Sequence, residues 1–148
     1  MGDLRKLISL EGRKGLAPGV RLADPLKLDV ERAEQWPRGP YEAVFSANTT
    51  HIMAAASVPL LLAGAAQVLA PGGLLLLYGP FQGVGVPMAP SNAAFDAHLR
   101  SINPVMGLRD AGEVTEQARR LDLEPLADES MPANNRILVF RKRGVASM

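Results

Sequence analysis

The chain has no cysteine. That excludes a disulfide framework, a thiolate metal centre and cysteine nucleophilic catalysis, and it is consistent with a reducing compartment, for which the expectation is the cytoplasm. A dominant charge is missing too: 16 basic and 15 acidic side chains leave a formal charge of +1. Such a balance gathers neither nucleic acid nor an acidic membrane, so Arg141-Lys142-Arg143 is read as a solvated strand end. No apolar stretch reaches the length of a membrane span, and Met1-Gly2-Asp3-Leu4-Arg5-Lys6 contains no signal-peptide core. The histidines, His51 and His98, are few and far apart, which with no thiol argues against a transition-metal site; His98, between Asp96 and Arg100, reads as a surface residue. No Gly-x-Ser-x-Gly elbow or Walker loop supports a hydrolase or a kinase. Gly83-Val84-Gly85 lacks the third glycine and the helix of a dinucleotide loop, so a nicotinamide-dependent oxidoreductase is the remotest alternative.

What is present is one domain's worth of chain, 148 residues, 47% apolar and 21% charged, the balance of a soluble globular protein. Its organising stretch is Leu74-Leu75-Leu76-Leu77, set between Pro71-Gly72-Gly73 and Gly79-Pro80. The punctuation leaves about six residues, too few for a helix, and four leucines without alternation fit a central strand buried on both faces. Ligands of an open α/β sheet lie beyond the carboxyl ends of such strands, which directs attention to Tyr78 through Phe81. Two further strands are expected at Leu26 to Val30 and at Tyr41 to Asn48. Helices are expected over residues 4 to 14, to about Leu69 from either Ser57 with Pro59 in the first turn or near Met53 with Pro59 at a kink, after a Ser91 cap, and after an Asp110 cap with Glu113 as partner. The Ser91 helix would turn Ala94, Phe95, Leu99 and Ile102 to one face and break at Asn103-Pro104. Leu123 to Ala127 and Arg136 to Arg141 are close enough to pair as a long hairpin. Trp36, the only tryptophan, reads first as cover for apolar surface. Strand-helix alternation closing on a hairpin predicts an α/β fold with a mostly parallel sheet and an antiparallel edge.

Chemistry-bearing residues collect at the strand ends. Asp29 ends its strand, where a carboxylate accepts hydrogen bonds from ribose hydroxyls or an adenine amino group, or caps a turn. Asn48, Thr49, Thr50 and His51 follow the Tyr41 strand on the sheet edge that carries Tyr78. A neutral histidine there serves as a base and an asparagine orients a ligand; the competing reading is that the loop uses these side chains for its own backbone.

Taken together, Asp24-Pro25-Leu26-Lys27-Leu28-Asp29-Val30, Ser46-Ala47-Asn48-Thr49-Thr50-His51-Ile52, Leu77-Tyr78-Gly79-Pro80-Phe81 with Ser91-Asn92-Ala93-Ala94-Phe95-Asp96, and Gly107-Leu108-Arg109-Asp110 with Met131-Pro132-Ala133-Asn134-Asn135 resemble the methyltransferase-like protein 26 group. The resemblance runs from about residue 4 to Arg143 and implies a Rossmann-like class I methyltransferase sheet, of order 3-2-1-4-5-7-6, with S-adenosylmethionine as cofactor. It implies Asp29 and Val30 at the adenine, Asn48 at the cofactor, and His51 and Tyr78 beside Asn48 on the acceptor side as catalytic residues. The methyl acceptor would be an unidentified small molecule or protein. Ala54-Ala55-Ala56 stands where the group has a Pro-Trp pair, and Met106 where it has an aromatic residue. The group's first two strands and the Gly-rich turn between them have no counterpart, so the expectation is a single partial domain over 1–148, truncated at its start, with half of the cofactor cradle. Such a sheet exposes one side of the Tyr41 strand, open to self-association unless the Leu26 strand moves in. The alternative function is that of a non-catalytic isoform or remnant acting through protein contacts there.

Overall fold

Leu75 and Leu77 are 0% and 1% exposed, and the molecule is built outward from them. A computed structural model describes residues 16–144. The helix expected over residues 4 to 14 lies outside the described residues. Strands β1 (Tyr41–Ala47), β2 (Leu69–Gly79), β3 (Leu123–Met131) and β4 (Asn135–Lys142) form one sheet in the order β1-β2-β4-β3. β1 runs parallel to β2, while β4 is antiparallel to both β2 and β3. The result is a mixed α/β sheet with the expected C-terminal hairpin.

The Pro-Gly-Gly turn is present, but inside the strand. Pairing jumps from Tyr41 opposite Leu69 to Ala43 opposite Leu74, so Glu42 alone faces Ala70 to Gly73. Gly72 takes a φ of +83° in this bulge, a conformation a side chain would resist. Lys142 Nζ donates to Leu69 O (2.7 Å) at its mouth.

Helices α1 (Val58–Val68), α2 (Pro90–Ile102) and α3 (Ala111–Arg119) complete the described elements with short 3-10 turns. Leu61, Leu62 and Ala65 of α1 and Val114 and Ala118 of α3 pack with Leu75, Leu77, Leu138, Phe140 and Leu123 in one core. Strand alternation places that core on a single face of the sheet. Leu74, Leu76 and Tyr78 point the other way and are only half-buried. The expectation of burial on both faces is therefore corrected: α1 and α3 both cover the same side. α1 starts after a 3-10 turn, Ala55–Ser57, with Pro59 in its first turn, the first of the two starts expected. Ser57 Oγ turns away to donate to Glu31 Oε1 (2.7 Å). Asp110 caps α3 by accepting from Glu113 N (3.0 Å). Trp36 lies on α1 so closely that Gly64 has no room for a Cβ, and its Nε1 donates to Val30 O (3.4 Å). The indole acts as cover.

Two expectations fail. Leu26 to Val30 forms no strand, and Leu26 is 65% exposed. Its backbone groups go to a local turn instead: Arg32 N donates to Asp29 O (2.9 Å), and Asp29 N donates to Gln35 Oε1 (2.7 Å). β1 thus stays at the edge of the described sheet, with Phe45 63% exposed. Ser91 does not cap α2; the cap position is Ala89, because Pro90 already fixes the first helical turn. Of the face expected to be apolar inward on α2, Leu99 is buried while Phe95 and Ile102 are exposed. Among the described residues no helix is long and apolar enough to cross a membrane.

Candidate functional site at the carboxyl edge of the sheet

The chain leaves β1 at Asn48 in the left-handed region (φ 55°), with Asn48 N donating to Tyr78 O (2.9 Å). Asparagine tolerates this conformation better than most residues, so the strand can end abruptly here. Thr49 Oγ1 returns to Ala47 O (3.0 Å), and Thr49 O accepts from Ile52 N and Met53 N. That tight turn buries Thr50 and His51. β2 ends at Gly79, and three side chains border the position a Cβ would take there. A Cβ there would stand 3.7 Å from His51 Nδ1, 3.7 Å from Phe81 and 3.8 Å from Asn48 Oδ1. Asn48, His51 and Phe81 therefore converge on the small space that glycine leaves.

Helix α2 crosses this edge of the sheet and is fastened at both ends. At its start Asn92 Nδ2 donates to Asn134 O (3.1 Å), and Asn134 Nδ2 donates to Ser91 Oγ (3.0 Å), tying it to the tip of the β3–β4 hairpin. Beyond its end Gly107 N donates to His51 O (3.1 Å). Arg109 gives Nε to Thr50 O (3.0 Å) and Nη2 to Met53 O and Val105 O (2.8 Å each). Asp96 accepts from Leu108 N (2.8 Å) and from Arg100 Nε (3.0 Å). In between, the Phe95 ring meets the His51 imidazole edge-on, centroids 5.6 Å apart and planes at 65°.

Burial, and then the charge of Arg109, hold the His51 pKa below its ordinary value, so the imidazole is neutral near pH 7. Its ring nitrogens take no hydrogen bond among the described residues. Burial pushes Asp96 up, but the hydrogen bonds from Arg100 and Leu108 outweigh it and keep the carboxyl below its usual range. Beside this cluster lies a cleft of about 220 Å³ walled by Phe81, Gln82, Val86, Asn92, Met131 and Arg136. Among the described residues no group of His, Asp and Glu is placed to hold a metal.

Asn48 and His51 are thus brought together. Tyr78 is not beside them: strand alternation sends its side chain to the face opposite that of Gly79. Asp29 and Val30 lie on the turn that precedes β1. The Asp29 carboxylate accepts from Glu31 N (3.0 Å) and faces Arg32 Nε at 3.7 Å, the turn-capping arrangement. Val30 packs against the core. Phe81 closes the stretch to which the strand end directed attention; Phe95 and Arg109 are site residues that position along the chain does not single out. Arg109 acts on carbonyls more than fifty residues earlier, a link that no local pattern announces. The Ser91, Gly107 and Met131 segments that carried the sequence resemblance all meet at this edge.

The profile of a family described as "Protein of unknown function (DUF938)" matches residues 5–142. Among solved structures the chain is similar to an O-methyltransferase family protein from Burkholderia thailandensis, with TM-score 0.69 and 17% identity over 79% of this chain and 35% of that one. It is similar to an O-methyltransferase family 2 protein from Planctomyces limnophilus solved with apigenin, with TM-score 0.63 and 20% identity over 72% and 33%. It is also similar to CalO1, a methyltransferase of calicheamicin biosynthesis in its SAH-bound form, with TM-score 0.63 and 14% identity over 78% and 33%. The chain spans about a third of the length of these structures. The fold is that of class I methyltransferases.

Toward a nucleoside, Asn48 Oδ1 and His51 Nδ1 offer polar atoms beside Gly79, and the half-exposed Asp29 carboxylate, which accepts from Glu31 N and faces Arg32, offers an acceptor on the turn before β1.

Proposed function

The chain belongs to the DUF938 family of proteins of unknown function, and from that membership and its fold we propose an S-adenosylmethionine-dependent methyltransferase-like protein of the methyltransferase-like protein 26 type. The observation that carries the reading is the convergence of Asn48, His51 and Phe81 on Gly79, beyond the carboxyl ends of the parallel pair β1–β2. Asn48 would hold the cofactor next to that gap, with Asp29 and Val30 at its adenosine end. The bound cofactor supplies an electrophilic methyl group on a sulfonium sulfur. Displacement at such a carbon depends on alignment more than on acid-base strength. The protein's part is then to orient the acceptor and to shield it from water, the latter through α2. His51, neutral and with no hydrogen bond at its ring nitrogens among the described residues, would take the acceptor's proton. Tyr78 belongs to the proposal as a residue of the opposite face, reached only by a ligand that wraps the end of β2. Calorimetric titration of folded protein with S-adenosylhomocysteine tests this reading: heat of saturable binding is expected, and its absence removes the proposal.

A second reading has its own observation. Among the described residues β1 is an unpaired edge with Phe45 63% exposed, the arrangement of a strand that accepts another chain. In that reading the protein is non-catalytic and acts through contacts at β1, with a further copy of itself or another protein. Light scattering that finds a monomer at every concentration, indifferent to partners, removes it.

A further inference from the structure

Four carboxamide side chains line the cleft at the start of α2, and each has already committed its nitrogen. Gln82 Nε2 donates to Val86 O and to Gly83 O (3.3 Å). Asn92 Nδ2 donates to Asn134 O (3.1 Å), Asn134 Nδ2 to Ser91 Oγ (3.0 Å) and Asn135 Nδ2 to Pro132 O (3.1 Å). For Gln82, Asn92 and Asn135 the partner is a carbonyl oxygen, which can only accept, so the amide cannot sit the other way round. What each has left is its oxygen, and none of the four oxygens takes a hydrogen bond among the described residues. Nor are they sealed from solvent. Among the described residues the buried side-chain atom without a partner is Gln117 Oε1, on α3.

The cleft thus offers acceptors in excess, and its charge is cancelled. Arg136 is the charged residue of the lining; its Nε is held by Asp128 (2.6 Å) and its Nη1 reaches Ser130 Oγ at 3.4 Å. Its Nη2 takes no hydrogen bond among the described residues. A carboxylate entering here would turn its lone pairs on four amide oxygens. An ammonium would be desolvated beside a guanidinium with no free counter-ion. A neutral N–H donor meets neither penalty. The hairpin tip is also strained: Ala133 and Asn134 hold φ of 60° and 58° in succession. Such backbone persists where surrounding contacts enforce it, here the tie from Asn92 to Asn134 O, and it gathers at binding sites. Phe81, Val86 and Met131 supply apolar wall, and the volume of about 220 Å³ is below the roughly 300 Å³ at which pockets for drug-sized ligands begin.

We propose that this cleft binds a small neutral compound carrying a primary carboxamide or ureido group. Its NH2 donates to the carboxamide oxygens of the lining, its carbonyl accepts from Arg136 Nη2, and its body lies against Phe81 and Met131. These polar side chains are not those of the Asn48–His51 cluster, and the inference stands apart from the methyltransferase reading.

The test follows amide chemical shifts of the intact protein during titration with benzamide, N,N-dimethylbenzamide and benzoate, with and without S-adenosylhomocysteine. The three share a ring; the second lacks N–H donors and the third is an anion. Benzamide should bind with a Kd at least about tenfold below that of either other probe and should shift Gln82, Asn92 and Asn135. Asn135→Leu should weaken benzamide by about tenfold, and Met131→Trp, on the exposed hairpin, should fill the cleft and abolish binding. Both positions lie outside the core, and far-UV circular dichroism checks that each variant is folded. Equal or tighter binding of benzoate or N,N-dimethylbenzamide overturns the proposal, as does absence of benzamide binding or indifference to both substitutions. N-acetylglutamine methylamide binding more tightly than benzamide keeps the carboxamide but overturns the assignment to a free compound in favour of a protein side chain. Benzamide binding without S-adenosylhomocysteine binding upholds this site and removes the methyltransferase reading. The reverse pattern leaves that reading and overturns this inference.

Discussion

β2 carries four leucines in a row, and they live in two environments. Leu75 and Leu77 sit in the core under α1 and α3, whereas Leu74 and Leu76, one position away, face a side those helices do not cover. Composition cannot separate the two pairs. The pleat separates them, and the helices, both on one side, give the separation its energetic weight. The lesson is that a run of identical side chains reports the presence of a strand, not the number of covered faces.

The largest test of this contrast is a matched pair of truncations. Leu77→Ala should lower the unfolding free energy by about 3 kcal/mol, while Leu76→Ala should cost about 1 kcal/mol or less, both read from urea denaturation. Equal losses would mean that the second face is covered in solution. Next, Asp110→Ala removes the cap of α3 and should cost about 1 kcal/mol, loosening the covered face alone. On the open side, Phe45→Lys should leave stability within about 0.5 kcal/mol and reduce any self-association seen by sedimentation. The smallest effect concerns pH. His51 has a folded pKa below its unfolded one, so the unfolded chain binds the proton first as pH falls. Its contribution is complete above the unfolded value and is lost as pH falls through the folded one. His51→Gln should flatten the stability profile in that window below pH 6.5, as followed by thermal melts.

Patterns of apolar residues and punctuation located β1, β2, α1, the hairpin and the Asp110 cap, because each of these is written within a dozen neighbouring residues. Leu26 to Val30 misled for a physical reason. Alternation states which way side chains would point in a strand, but a strand also needs a partner, and here Asp29 and Gln35 bind the backbone locally. Ser91 misled because proline at the preceding position set the helix start first. Asn48 and His51 could be singled out from their place at a strand end. The role of Arg109 could not, since it is defined by the carbonyls of Thr50 and Met53, 59 and 56 positions away in sequence. Tyr78 shows the limit of adjacency: next to Gly79 in the chain, it is turned to the other side of the sheet.

Helix α2 contributes only Asn92 and Leu99 to the buried interior, and its other attachments are polar or edge-on contacts made by Ser91, Asn92, Phe95 and Asp96. The positions between them are free to vary. Ala93, Ala94, Ala97 and His98, all exposed, can be exchanged with little penalty to the core beneath, so related chains can diversify in what they recognise while inheriting an unchanged scaffold. Recognition and folding are encoded by different stretches, and they can evolve at different speeds.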